Sequence, residues 1–147
     1  MVGPVYIIAV ALGLAFLLGF FKHGNQRLSI LLMLMGIGFM AFTSFQWLTG
    51  HLNGYITEST QFTAGFKPPF SISLQMGLAE SVITGMINLL GLLGGIYLWR
   101  RMSKLGVNAQ IIYLVMIMGL NVIVMTRDIF NLFVFFEVLL LASYALL

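Results

Sequence analysis

The chain has 147 residues, of which 61% are hydrophobic and only 7% charged, against roughly 25% charged residues in an ordinary soluble domain. A soluble globular protein is excluded on that ground. Seven Lys or Arg against four Asp or Glu leave a net charge of +3, but the basic residues stand in small groups between apolar runs, so nucleic-acid binding is not expected. With no cysteine in the chain, neither a disulfide nor a thiolate-held metal or iron–sulfur cluster is expected, and any redox centre belongs to another subunit.

A helix needs about 20 apolar residues to cross a hydrocarbon core of about 30 Å. Five apolar runs approach that length, at residues 2–21, 28–48, 74–99, 110–125 and 129–147, with Glu80 and Glu137 their only charges. They predict an all-α polytopic membrane protein, a single bundle of five transmembrane helices lying in the lipid bilayer. The first run has no charged residue before it and is followed by Lys22, His23 and Arg27, which reads as a retained span and not a signal peptide.

Basic residues alternate between the connections. Lys22 and Arg27 lie between spans one and two, and Arg100, Arg101 and Lys104 between three and four. The second connection has only Lys67, opposed by Glu58, and the fourth is the adjacent pair Arg127 and Asp128, read as a headgroup-level ion pair or a helix cap. Lys and Arg stay on the cytoplasmic side of short loops, so the N-terminus is expected outside. Residues 49–73, with Gly50, Asn53, Gly54, Gly65, Pro68 and Pro69, then form an external loop with room for a small hairpin. A hairpin is marginal alone, so it is expected to lie against helix ends or a neighbouring subunit. Leu139–Leu147 carries no Lys or Arg to anchor the last span at the interface. The helix therefore reads as continuing in another polypeptide, as cut from a longer protein, or as covered by a partner.

Helix contacts in lipid rely on small residues. Ala9 with Gly13, Ala15 with Gly19, Gly36 with Gly38, and Gly91 with Gly95 mark the expected packing faces. Residues 36–41 also match a dinucleotide fingerprint, but that motif requires a preceding strand in a βαβ unit, and here it lies inside a span.

The four acidic residues are few enough to weigh singly. Glu58 reads as a solvated loop charge. Glu80 is placed about two turns into the third span, with Thr84, Asn88, Gly91 and Gly95 following on one face; the stripe is either a satisfied helix interface or one wall of a hydrated path. Glu137 lies nine residues after Asp128, roughly 13 to 14 Å below the boundary at about 1.5 Å per residue, near the middle of the hydrocarbon. Phe133, Val134, Phe135, Phe136, Val138, Leu140 and Leu141 surround it, with no cation within a helical turn. A carboxylate there costs several kcal/mol by insertion scales and is by default a functional hypothesis. A lysine approaching and withdrawing would favour its charged and neutral forms in turn. The bland alternative is an ion pair that holds helices in register. His23 and His51 fit no metal-binding spacing, and no cofactor or metal site is expected. Asn121, and Tyr144 seven residues past Glu137, are secondary polar candidates within the bundle.

Residues 126–147 carry a resemblance. Asp128-Ile129-Phe130-Asn131-Leu132, then Phe135-Phe136-Glu137, then Ser143-Tyr144 resemble the fifth transmembrane helix of the antiporter-like subunits. That superfamily comprises the A-type and D-type subunits of Mrp multisubunit sodium/proton antiporters, the proton-pumping subunits of respiratory complex I, and their counterparts in membrane-bound hydrogenases and sulfur reductases; the Mrp D-type pattern is the nearest. Phe70, Ile72, Leu74, Glu80 and Ser81 resemble the family segment that leads from an external hairpin into the third helix, with Glu80 where members usually have Asp.

The resemblance covers about the first third of a fourteen-helix family member. It implies that Glu137 matches the glutamate that pairs with a seventh-helix lysine in proton translocation. It also implies partners: a chain or segment bearing the later helices and their lysines, other membrane subunits, and H⁺ with Na⁺ or another cation, in a prokaryotic plasma membrane. Three readings stay open. The first is a subunit, or the N-terminal part of one, of a cation/proton-translocating complex; the second is a structural or assembly subunit; the third, disfavoured by the apolar surroundings of Glu137, is a homo-oligomeric channel. No catalytic site of an enzyme is expected in these residues.

Overall fold

The structure is a computed structural model and describes residues 3–20, 25–55, 59–62 and 73–147. The elements are α1 (Val5–Phe20), α2 (Gln26–Leu52), β1 (Ser59–Phe62), β2 (Ser73–Met76), α3 (Leu78–Tyr97), α4 (Trp99–Leu105), α5 (Val107–Met125) and α6 (Ile129–Leu146). Lys22, His23, Glu58, Lys67, Phe70 and Ile72 fall outside the described residues.

Local chemistry sets the helix boundaries. Asn25 caps α2 by accepting from the Arg27 N–H at 3.1 Å, and Asp128 caps α6 by accepting from the Phe130 N–H at 3.0 Å. Each cap satisfies one of the backbone donors that a helix start leaves open. Of the two readings of Asp128, the helix cap is the one found. Gly106 separates α4 from α5 at φ +85, a backbone conformation that favours glycine.

By length and composition, four helices among the described residues are able to cross a membrane: α2, α3, α5 and α6. The first expected span is shorter, since α1 has 16 residues, about 24 Å at 1.5 Å per residue. The third run also begins later than expected. Ser73–Met76 form a strand instead of helix because Leu74 and Met76, two apart, both bury their side chains completely beneath the bundle end; Gly77 then starts α3. The end of the same run changes too, with α3 stopping at Tyr97 and Arg100, Arg101 and Lys104 lying on the short helix α4 and not in a loop. In the neighbouring elements α2 extends to Leu52 and α5 begins at Val107, three residues before the expected Gln110.

The strand pair is antiparallel, with Ser59 opposite Met76 and Phe62 opposite Ser73. It rests on helix ends. His51, in the last turn of α2, lies 3.3 Å from the Met76 carbonyl, and Leu74 makes a further antiparallel bridge to Thr126 at the end of α5. The ends of α2 and α5 and the starts of α3 and α6 therefore share one end of the bundle. At the opposite end Gln110, in the first turn of α5, donates to Gln26 at the start of α2 at 3.3 Å, beside α4.

The most enclosed element is α5, which packs against every other helix. Leu114, Ile117, Met118 and Val122 from α5 meet Met33, Ile37 and Met40 from α2 in a common core. Outward faces are also apolar, as at Phe16, Phe45, Leu90 and Phe133. Such a surface is compatible with hydrocarbon as solvent, where association depends on close packing and interhelical hydrogen bonds and not on expulsion of water.

Glycines set the close helix crossings, Gly36 and Gly91 among them. A Cβ at Gly36 would lie 2.5 Å from Leu14 Cδ1, and one at Gly91 would lie 2.9 Å from Ile117 Cδ1, so α1 crosses α2 and α5 crosses α3 where no side chain intervenes. The small residues of α1 have a different fate from the one expected. Gly13 and Gly19 have nothing within 4 Å of an added Cβ, and Ala9 is exposed. Ile7, Ala11 and Leu18 form the buried face instead, with Ile7 and Leu18 filling the space beside α5 and α2 and the methyl of Ala11 lying between them.

Candidate functional site

The polar residues of the spans fall into three places. In the bundle centre, Asn88 of α3 and Asn121 of α5 exchange hydrogen bonds through their side-chain amides. Asn88 donates to Asn121 Oδ1 at 3.0 Å, and Asn121 donates back to Asn88 Oδ1 at 2.8 Å. Their second N–H groups go to Ser44 Oγ at 3.2 Å and to the Ile117 carbonyl at 2.8 Å. All three side chains are buried. Thr84, one turn before Asn88, is also buried and donates to the Glu80 carbonyl at 2.7 Å. Below Asn88, the Tyr113 hydroxyl donates to the Gly91 carbonyl at 2.7 Å. The stripe on α3 thus faces α2 and α5, with its donors paired inside the bundle. Ser44 and Tyr113 were missed by sequence reasoning; hydroxyls in the middle of apolar runs were the available signal.

The second place is the strand-bearing end. Glu80 stands in the first turn of α3, not two turns in, and its Oε2 accepts from the Gly77 N–H at 3.1 Å. Its Oε1 is ion-paired with Arg127. Arg127 also donates from Nε to Gln75 Oε1 at 2.7 Å and from its backbone N–H to the Ser73 carbonyl at 3.1 Å. The cation expected to pair with its neighbour Asp128 therefore serves α3 and β2 instead. This cluster joins the α5–α6 connection to the strand pair and to the start of α3. Arg127→Met is expected to speed backbone amide exchange at Leu74 and Gln75 severalfold, leave exchange within α5 unchanged, and cost about 1 kcal/mol or less, as befits a partly exposed pair. Exchange-resolved mass spectrometry in detergent checks this.

The third place is α6. Glu137 is midway along the 18-residue helix and exposed on the bundle surface. Among the described residues it has no hydrogen bond or ion pair. The face around it is open, with Phe133 62%, Phe136 47% and Tyr144 69% exposed, and only Asn131 and Ala142 of the whole helix are buried. Tyr144 therefore shares the outward face with Glu137 instead of bonding within the bundle. Glu137 is not brought together with Glu80, Thr84, Asn88 or Asn121. Among the described residues, no group of three or more His, Asp or Glu is arranged to hold a metal.

No protein-family profile matches the chain. A probable K⁺/H⁺ antiporter protein of the D type, from Rhizobium meliloti (strain 1021), is 35% identical over 95 residues, 64% of this chain and 18% of that protein. The fold is shared with a chain of the membrane-bound sulfane sulfur reductase, an archaeal respiratory membrane complex, at TM-score 0.82 and 22% identity over 97% of this chain and 29% of that one. A chain of the Mrp complex from Dietzia sp. DQ12-45-1b gives TM-score 0.82 and 20% identity over 97% of this chain and 26% of that one. The chain is thus similar to antiporter-like membrane subunits, in sequence over part of its length and in fold over nearly all of it. It spans less than a third of the length of each of these relatives. With four helices among the described residues long and apolar enough to cross a bilayer, and with these likenesses, it is an integral membrane protein.

Proposed function

We propose that the chain is a membrane subunit, or the N-terminal part of one, of a multisubunit cation/proton-translocating complex in a prokaryotic plasma membrane. In this reading it forms one bundle of five transmembrane helices with its N-terminus outside, α1 being the first span. Glu137 is the proton-switching carboxylate. The single observation that carries the reading is the position of Glu137, a carboxyl at mid-helix on the open face of α6. A lone carboxyl facing lipid is costly, so another helix belongs over that face. No lysine lies in a spanning helix among the described residues, so the switching cation comes from a segment or chain outside them. Its approach stabilises the carboxylate and its withdrawal returns the proton. H⁺ and a second cation, Na⁺ or K⁺, are the transported species.

Because the chain has no cysteine, Tyr144→Cys introduces a unique probe on that face. Oxidative cross-linking in native membranes is expected to join Cys-substituted α6 to a cysteine placed one turn from a membrane-embedded lysine of the complex. Cross-linking only to lipid-facing or lysine-free helices would overturn the pairing. A second reading, an assembly subunit without transport of its own, is favoured by the same open face, which serves equally as a docking surface. The Glu137 substitution argued below separates the two.

A further inference from the structure

We propose that the end of the bundle opposite the strand pair holds an anionic glycerophospholipid, its phosphate at Arg101 and Asn108 and one acyl chain in the groove between α5 and α6. Two concavities on this flank share Ile112 and Ala145 and so lie side by side along α5 and α6. The outer part, about 260 Å³, is bordered by Arg101 of α4 and Asn108 of α5. The inner part, about 290 Å³, is lined only by apolar side chains, among them Val115, Val138 and Leu141. A cationic and amide-bearing mouth that grades into a purely apolar channel along the helix axis matches the two ends of a phospholipid, and neither a free anion nor a water-soluble ligand has use for the second part.

Charge complementarity selects the anionic headgroup. Arg101 and Asn108 are exposed, and among the described residues neither side chain has a hydrogen bond or ion pair. Arg100 and Lys104 add two more exposed cations on α4. Two of the four acidic residues, Glu80 and Asp128, lie at the other end of the bundle, and Glu137 is eight residues before Ala145 on α6. Thus no described carboxylate side chain neutralises this end. Each basic residue near a bilayer surface contributes about 1 kcal/mol toward anionic lipid. The inference is independent of the role of Glu137.

The test uses the intact complex, extracted in mild detergent, exchanged free of its own lipid, and titrated with dioleoylphosphatidylglycerol or dioleoylphosphatidylcholine under native mass spectrometry. Phosphatidylglycerol is expected to bind this chain at least about fivefold more tightly. Arg101→Gln is expected to remove that preference, whereas Ala145→Phe, which fills the shared part of the groove, weakens both lipids. Inorganic phosphate is expected not to compete. Equal retention of the two lipids, or an unaltered preference in Arg101→Gln, would overturn the site. Competition by phosphate would reduce it to a free-anion site, and an unaffected Ala145→Phe would show surface attraction or a groove filled by protein; either outcome also overturns the proposal. If Ala145→Phe does not assemble, Ala145→Leu with unchanged helicity takes its place.

Discussion

Glu137→Gln is expected to abolish proton-coupled cation exchange, a fall of at least about a hundredfold, while the chain still assembles. Glutamine keeps the size and hydrogen-bonding capacity of the carboxylic acid but has no titratable proton, so a cycle that alternates neutral and charged forms stops. Folding is spared for a structural reason. The side chain is exposed and has no described partner in this chain, so its change to an amide removes no contact within the bundle and belongs with substitutions worth about 0.5 kcal/mol or less. Exchange measured in everted vesicles, normalised to assembled complex, is the readout. Glu137→Asp, which keeps the charge but withdraws it by one methylene, is expected to retain part of the activity. Normal exchange per assembled complex in Glu137→Gln would sink the switching role, and loss of assembly with normal exchange in what remains would favour the structural reading.

The Asn88 and Asn121 pair gives the second large effect. Asn121→Leu leaves the Asn88 amide with two broken bonds in a dry interior and is expected to destabilise the bundle by about 1 to 2 kcal/mol. The double change Asn88→Leu with Asn121→Leu removes both members together, and the asymmetry between breaking a pair and replacing it predicts a smaller loss than the sum of the singles. A double-mutant cycle followed by thermal unfolding in detergent measures the coupling. Transport in the same variants addresses the alternative role of the pair. A closed amide exchange with every described donor paired favours a helix interface, so exchange per assembled complex is expected to persist in the double variant. Its complete loss in a stable double variant would instead assign the pair to a proton path.

How much was legible in the sequence depends on the kind of information each residue carries. Glu137 was legible as a carboxyl at mid-helix because Asp128 marks the helix start and rise per residue does the rest. The capping role of Asp128 was one of two readings the sequence left open, and the structure chose it. Glu80 was misplaced by about one turn, because Ser73–Met76 reads as part of the apolar run, whereas its pairing with β1 and its burial at the bundle end make it a strand. Its partner, 47 residues away in the sequence, was invisible to any local rule, and local spacing pointed Arg127 to the wrong neighbour.

The faces of the helices were the least legible feature. In a water-soluble bundle the polar side of each helix announces which side packs. Here Phe16 on the open side of α1 is as apolar as Ile7 on its packed side, so Gly13 and Gly19 read as contacts that Ala11 and Leu18 make instead. The sequence by itself determined the class of solvent, the number of apolar runs and the depth of Glu137 along its helix, since each follows from composition or length, while it left Asp128 between a cap and an ion pair. Only the tertiary structure decided that Asn88 meets Asn121 and Ser44, that Arg127 ties α3 to β2, and that Glu137 looks away from its own bundle. Those are rotations and crossings of helices, and between faces of equal hydrophobicity they are fixed by close packing and paired amides, which exist only once the helices have met.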